Sequence, residues 1–297
     1  MVVVTWRGRG LIGRCLDALA AQTRVHRVLV IDNASSDGTA EELATHPLRP
    51  HVLRMRCNTG YAGALATALP QVETPFMGWL NDDAQPEPNW LAALEQALDY
   101  DGTAAAAASV LHTEEGISTG VALTRLGYGR DTAGASPFGF CGGAALLRTN
   151  ALRRIGGVPG SLFCYYEDTD TSWRLRLAGY RVVAVPDARV RHLGGASARH
   201  GTPSFHRWNE RNHLLVLLRC APARVAAQEL ARFAGLTLLL PFHRNPPRTP
   251  NFALRLRLRV LTEVALRLPA TLLARHQIGR CTTVSRTTLW STWAGRP

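Results

Sequence analysis

Short aliphatic runs alternate, through the first third of the chain, with segments whose apolar positions recur every three or four residues. Residues 2–5, 27–32, 52–55 and 76–80 are apolar runs of strand length. Between them, residues 11–21, 40–45 and 60–69 carry helical periodicity, with Leu11, Cys15, Ala18 and Leu19 on one face of the first. This alternation predicts βαβ units and a mainly parallel central sheet flanked by helices, an α/β fold. Ligands of such sheets sit at the carboxyl ends of strands, where Thr5, Asp32 and the run Asn81-Asp82-Asp83 stand. Further on, residues 104–110, 141–147 and 181–186 read as strands and 169–178 as a helix, while 113–137 is polar, Gly-rich and without a readable period. From residue 202 the pattern is helical (208–219, 225–240 and 252–275), punctuated by Pro222, Pro241, Pro246, Pro247 and Pro250. The expected organisation is a domain of residues 1–201 and a helical extension of residues 202–297.

Charge sharpens that division. All 34 basic residues are arginine; residues 1–188 hold 16 of them against 19 acids, and residues 189–297 hold 18 against Glu210, Glu229 and Glu263 alone. A basic extension of this kind expects an anionic partner: a phospholipid surface, a polyphosphate or a nucleic acid. In 252–275, Arg255, Arg259 and Arg267 alternate with Leu254, Leu258, Leu261 and Leu268, which suits either docking on anionic lipid or packing on the catalytic body. An apolar share of 46% excludes wholesale disorder. Six scattered cysteines show neither a CxxC pair nor zinc spacing, which predicts reduced thiols and a cytoplasmic setting. No uninterrupted apolar run reaches the ~18 residues of a spanning helix, so none is predicted.

Four clusters carry candidate chemistry, and each has a plain structural alternative. The octet from Asp32 to Thr39 is a turn and helix cap, or Asp32 accepts hydrogen bonds from a nucleoside. Asn58-Thr59-Gly60-Tyr61 is a capping loop, or its small residues admit a ligand to the backbone. Asp82 and Asp83 place like charges side by side, which suits a hard cation bridging a diphosphate, or a solvated turn. Glu167-Asp168-Thr169-Asp170 complements a helix N-terminus, yet three carboxylates in four residues also raise at least one pKa toward that of a general base. A lone His192 is most simply structural; beside a bound cation it becomes a ligand.

Taken in order, Val4-Thr5-Trp6, the 32–39 octet, residues 58–61, Asn81-Asp82-Asp83, the stretch from Tyr166 to Arg174 and the segment 192–197 resemble the family-2 glycosyltransferases of GT-A fold, particularly their bacterial rhamnosyltransferase-like branch. The resemblance covers roughly residues 2–200. It implies that Thr5 and Asp32 bind base and ribose, that Asn58, Gly60, Asn81 and Asp82 contact the nucleotide sugar, and that Gly142 and Gly143 flank the donor and acceptor pocket. Asp83 and His192 take the place of metal ligands for Mn²⁺ or Mg²⁺, and Asp168, with Glu167 beside it, that of the catalytic base. Asn81 departs from the family's Asp-x-Asp pattern, an amide being the poorer cation ligand. The implied reaction is inverting transfer from a nucleotide-sugar donor, with dTDP-rhamnose the candidate, to a glycan, polyprenyl-linked or small-molecule acceptor in cell-wall polysaccharide synthesis. The implied location is cytoplasmic or peripheral on the inner face of the membrane. Three rivals stand beside it, one of them a catalytically dead scaffold that would bind nucleotide without turnover. A sugar-phosphate nucleotidyltransferase would use a Gly-rich phosphate loop, which Arg7-Gly8-Arg9-Gly10 echoes. A basic nucleic-acid-binding protein would need a motif or aromatic platform that the chain lacks, so no nucleic-acid partner is expected.

Overall fold

The computed structural model describes residues 1–114, 116–193, 201–243, 245 and 247–295. The segment 194–197 of the motif that begins at His192, and Pro246, lie outside the described residues. The strands are β1 (Val2–Thr5), β2 (Leu29–Asp32), β3 (His51–Arg54), β4 (Phe76–Asn81), β5 (Ala84–Pro86), β6 (Ala104–Thr113), β7 (Gly116–Ser118), β8 (Gly120–Leu123), β9 (Gly129–Thr132), β10 (Ala144–Arg148) and β11 (Arg181–His192). The helices are α1 (Ile12–Ala20), α2 (Thr39–Thr45), α3 (Gly60–Ala68), α4 (Trp90–Tyr100), α5 (Thr149–Arg154), α6 (Glu167–Leu177), α7 (Pro203–Cys220), α8 (Ala223–Leu239), α9 (Leu254–Arg280) and α10 (Arg286–Trp293).

The sheet runs β3-β2-β1-β4-β10-β6-β11-β5. The βαβ units make β3, β2, β1 and β4 parallel, as does the β6–β11 pair, while β10 lies antiparallel between β4 and β6. Both faces are covered, which is why the strands read as unbroken apolar runs. Val2 and Val4 face one cluster with Leu65 of α3, Leu152 of α5 and Leu175 of α6. Val3 faces the other, with Ile12 and Leu16 of α1 and Trp90 and Leu94 of α4.

Three features go beyond the periodicity. The 113–137 stretch holds β7 and the β8–β9 hairpin. Strand β11 does not stop at Pro186 but continues to His192, because the pairing with β6 shifts register between Ala184 and Arg189. A proline, lacking an N–H, is tolerated at such an irregularity. A third core cluster joins Ala62, Phe138, Leu162 and Trp173 to Leu214, Leu217, Phe233, Val260 and Leu289, so the C-terminal helices share a core with the preceding chain. Among the described residues, Ala223–Phe242 has the length and composition to cross a membrane, with 28% of it buried in the fold. No spanning helix was expected; inside this one, the charges of Glu229 and Arg232 meet each other 2.7 Å apart.

Candidate active site

Three parallel strand ends assemble one side of the site. Register aligns Thr5 with Asp32 and Val4 with Asn81. The Thr5 hydroxyl donates to Asp82 Oδ2 at 2.6 Å, so Thr5 braces a carboxylate from beneath the cavity surface. Gly8 allows this: a Cβ there would stand 2.2 Å from Thr5 Oγ1 and 2.4 Å from Asp82 Oδ2. Buried Asp32 accepts from Ser35 N at 2.9 Å through Oδ1, and its Oδ2 is ion-paired at 3.6 Å with Arg54 Nε from the neighbouring β3.

Asn33, not singled out by the sequence reading, ties the two donor-side loops together. Its Nδ2 donates to Asn58 Oδ1 at 3.0 Å and to Gly60 O at 3.1 Å, and its Oδ1 accepts from Thr59 N at 2.9 Å. Gly60 has φ +73°, and a Cβ there would lie 2.1 Å from the Phe163 carbonyl oxygen, so only glycine fits.

An imidazole and a carboxyl meet where β4 and β11 end. Pairing of His192 with Ala84, and Leu193 N donating to Asp83 O at 3.2 Å, bring the imidazole to the acidic turn. His192 Nε2 lies 3.2 Å from Asp83 Oδ1 and 3.0 Å from Asn81 Nδ2. Gly143 presses on the same group, its hypothetical Cβ 3.2 Å from His192 Nε2. Burial pushes Asp82 up to about 7, with Asp83 adding to the rise and the Thr5 hydrogen bond opposing it. Among the described residues no three His, Cys, Asp or Glu side chains gather as a full ligand set. Asp83 and His192 nevertheless converge, and a divalent ion that completes its shell with substrate phosphate and water needs few protein ligands. The donor set fits such an ion.

The second acidic cluster opens α6 and separates its three carboxylates by helix geometry. Asp168 reaches the cavity, where its Oδ2 accepts from Gly142 N at 2.9 Å and its Oδ1 from Thr169 Oγ1 at 3.1 Å. Gly142 O in turn accepts from Tyr61 OH at 2.6 Å. Glu167 is buried, with Oε2 unpartnered among the described residues. Burial raises the pKa of both carboxyls, and Asp168 adds to the rise at Glu167. Asp170 points into the core, where Arg174 and Arg219 hold it below the ordinary range against the cost of burial. Asp168 and Glu167 thus line the cavity, and Asp170 is ion-paired in the core.

A cavity of about 700 Å³ lies between these groups, lined by Asn58, Gly60, Asn81, Asp82, Asp83, Gly142, Gly143, Glu167, Asp168 and His192. Thr5 and Asp32 are not in its lining, whereas Val4, Trp6 and Asn33 are. The sequence reading missed Tyr61, Arg130 and Asp131 in the wall, and Phe205, Trp208 and Asn209 contributed by α7. The helical period over 208–219 predicts most of α7 but carries no sign that its first turns line the cavity. Of the phosphate-loop echo, Gly8 serves the Thr5–Asp82 contact, and Arg9 N donates to Asp37 Oδ2 at 3.1 Å.

Residues 1–156 match the family described as Glycosyl transferase family 2. The chain is 28% identical over 229 residues to N-acetylglucosaminyl-diphospho-decaprenol L-rhamnosyltransferase of Mycobacterium tuberculosis, covering 65% of this chain and 75% of that protein. It is 29% identical over 187 residues to pre-mycofactocin glycosyltransferase of the same organism, covering 60% of this chain and 39% of that one. Among solved structures, the Pyrobaculum calidifontis mannosyltransferase PcManGT, in complex with GDP-Man and Mn²⁺, superposes with a TM-score of 0.57 at 20% identity, over 94% of this chain and 84% of that one. The S. aureus TarS fragment in complex with UDP-GlcNAc does so with a TM-score of 0.57 at 20% identity, over 95% and 82%. The fold is GT-A.

Proposed function

This chain belongs to glycosyl transferase family 2 and transfers a sugar from a nucleotide-sugar donor, and we propose that it does so by a single inverting displacement with Asp168 as base. The observation that carries this reading is a carboxylate fixed by Gly142 N on one side of the cavity, with Asp83 and His192 converging on another. Asp168 takes the proton of an acceptor hydroxyl as that oxygen bonds to the anomeric carbon. The bond from that carbon to the diphosphate breaks, and its electrons leave with the nucleoside diphosphate. Asn33, Asn58 and Gly60 hold the nucleotide side, with Asp32 and its ion-pair partner Arg54 behind them. Asp83 and His192 would hold a divalent ion, Mn²⁺ or Mg²⁺, which when bound neutralises charge on the departing diphosphate.

The mycobacterial rhamnosyltransferase relative favours L-rhamnose as the transferred sugar and a polyprenyl-diphosphate-linked sugar as acceptor, and dTDP is our candidate for the nucleotide that carries it. A thermal-shift panel of UDP-, GDP- and dTDP-sugars, with Mn²⁺ or EDTA, tests the donor assignment. One nucleotide class, dTDP foremost, is expected to raise the melting midpoint in Mn²⁺ and to lose that effect in EDTA. No stabilisation by any of them would refute it.

A lipid-linked acceptor gives the outer face of α9 a role at an anionic membrane. Leu266 and Leu273 are 75% and 59% exposed there, on the helical face that also carries exposed Arg255 and Arg259 nearer the start of α9. Glu263, the single acid of α9, is turned toward Arg207, Arg211 and Arg259. The full chain is expected to sediment with vesicles containing anionic phospholipid, and a Leu266→Asp, Leu273→Asp double variant to remain in the supernatant. Equal sedimentation of the two removes this assignment.

A further inference from the structure

The four residues that lead into the acidic pair have an uncommon backbone. Phe163, Tyr165 and Tyr166 adopt φ of 69°, 68° and 70°, a left-handed conformation in three bulky non-glycine residues. Such backbone is strained and persists only where surrounding structure over-determines it. On the donor side the turn abuts α3: Ala62 N donates to Phe163 O at 3.0 Å, with Gly60 leaving room. On the other side lies α7.

There one side chain meets three of the turn's carbonyls. Asn212 is fully buried, and its Nδ2 stands 3.0 Å from Leu162 O, 2.8 Å from Cys164 O and 2.8 Å from Tyr165 O. The amide's orientation follows from chemistry, because Arg211 Nε donates to Asn212 Oδ1 at 2.9 Å. Arg211 adds a bond to Leu162 O at 2.6 Å and is itself held by Glu263 of α9 at 3.1 Å. Asn212 does not line the cavity. Its two N–H groups serve only backbone oxygens of the turn, beginning five residues before Glu167.

We infer that Asn212 is a positioning residue for sugar transfer, its carboxamide holding the 162–166 turn in the left-handed conformation that delivers Glu167 and Asp168 to the cavity. The catalytic consequence rests on the function proposed above; the clamp itself does not. A buried asparagine that served stability alone would hold the fold without governing the carboxylates' placement.

Asn212→Asp is the sharpest variant. It is nearly isosteric and keeps the acceptor for Arg211, but it turns a second oxygen toward three carbonyls. Asn212→Ala removes both groups, and Asn212→Ser restores one small donor and covers the case in which the aspartate variant does not fold. Hydrogen–deuterium exchange on the full chain without ligand is expected to show faster exchange at residues 163–169 in the Asp and Ala variants, with β1 and β4 unchanged. With whichever UDP-, GDP- or dTDP-sugar the wild-type chain turns over, kcat is expected to fall roughly 10²-fold, the cost of a ~1 Å misplacement, while donor KM stays within about threefold. The serine variant is expected to fall between alanine and wild type. Unchanged exchange at 163–169 overturns the proposal. So does a lowered melting midpoint with kcat intact at temperatures where the variant is folded. If the wild-type chain turns over none of these sugars, the function falls and exchange alone still judges the clamp.

Discussion

Asp168→Asn is expected to lower kcat by about 10²–10⁴-fold, the range that a positioned general base contributes, with nucleotide-sugar affinity retained. The substitution keeps the shape of the side chain, and the amide oxygen remains able to accept from Gly142 N, so the helix start is preserved. What disappears is the ability to take a proton. Burial raises the Asp168 carboxyl above its ordinary value, and the neighbouring Glu167 is raised by burial and by Asp168 itself. A base works deprotonated, so wild-type activity should fall with decreasing pH through a value above the ordinary carboxylate range. Isothermal titration with the donor, paired with a pH series of initial rates, checks both statements. Full activity of the asparagine variant would move the role to Glu167 or elsewhere.

The second large effect concerns the donor side. Asp83→Ala is expected to cost roughly 10²–10³-fold in kcat, comparable to deleting one preorganised contact to developing charge. His192→Ala should act through the same ion, raising the Mn²⁺ concentration for half-maximal rate by about tenfold or more. The physical reason is their shared position: the two side chains lie 3.2 Å apart, and Asn81 offers only an amide beside them. With one carboxylate and one imidazole, loss of either leaves a single strong protein ligand. Rates measured across a Mn²⁺ titration separate this from misfolding, because a ligand defect is offset by excess metal. A histidine variant whose Mn²⁺ dependence matches wild type would remove His192 from the ligand set.

How much of this was legible in the chain depends on where each signal resides. The ends of β1, β2 and β4 were readable because strands buried on both faces are apolar runs that stop at Thr5, Asp32 and Asn81. The separation of Asp168 from Asp170 was only half readable: Arg174, four residues on, marks Asp170 as ion-paired, but Arg219 comes from another helix. The strand expected over 181–186 stops short of His192, whereas a register shift carries β11 through the proline and delivers the imidazole to Asp83. Helix α4 went unread although Trp90, Leu91, Leu94 and Leu98 mark its buried face. The contribution of α7 was out of reach. An asparagine within a helix carries no local sign that its amide meets a turn 47 residues earlier in the chain.

One direct displacement from a nucleotide sugar fixes the anomeric configuration of the product, which NMR reads. The full chain, Mn²⁺, the donor found in the panel and a polyprenyl-diphosphate-linked sugar acceptor would be incubated, and donor and product compared by NMR of the anomeric proton. A single attack by an acceptor oxygen activated at Asp168 predicts the opposite configuration in the product. Product of unchanged configuration, or no transfer from any nucleotide sugar, would contradict it.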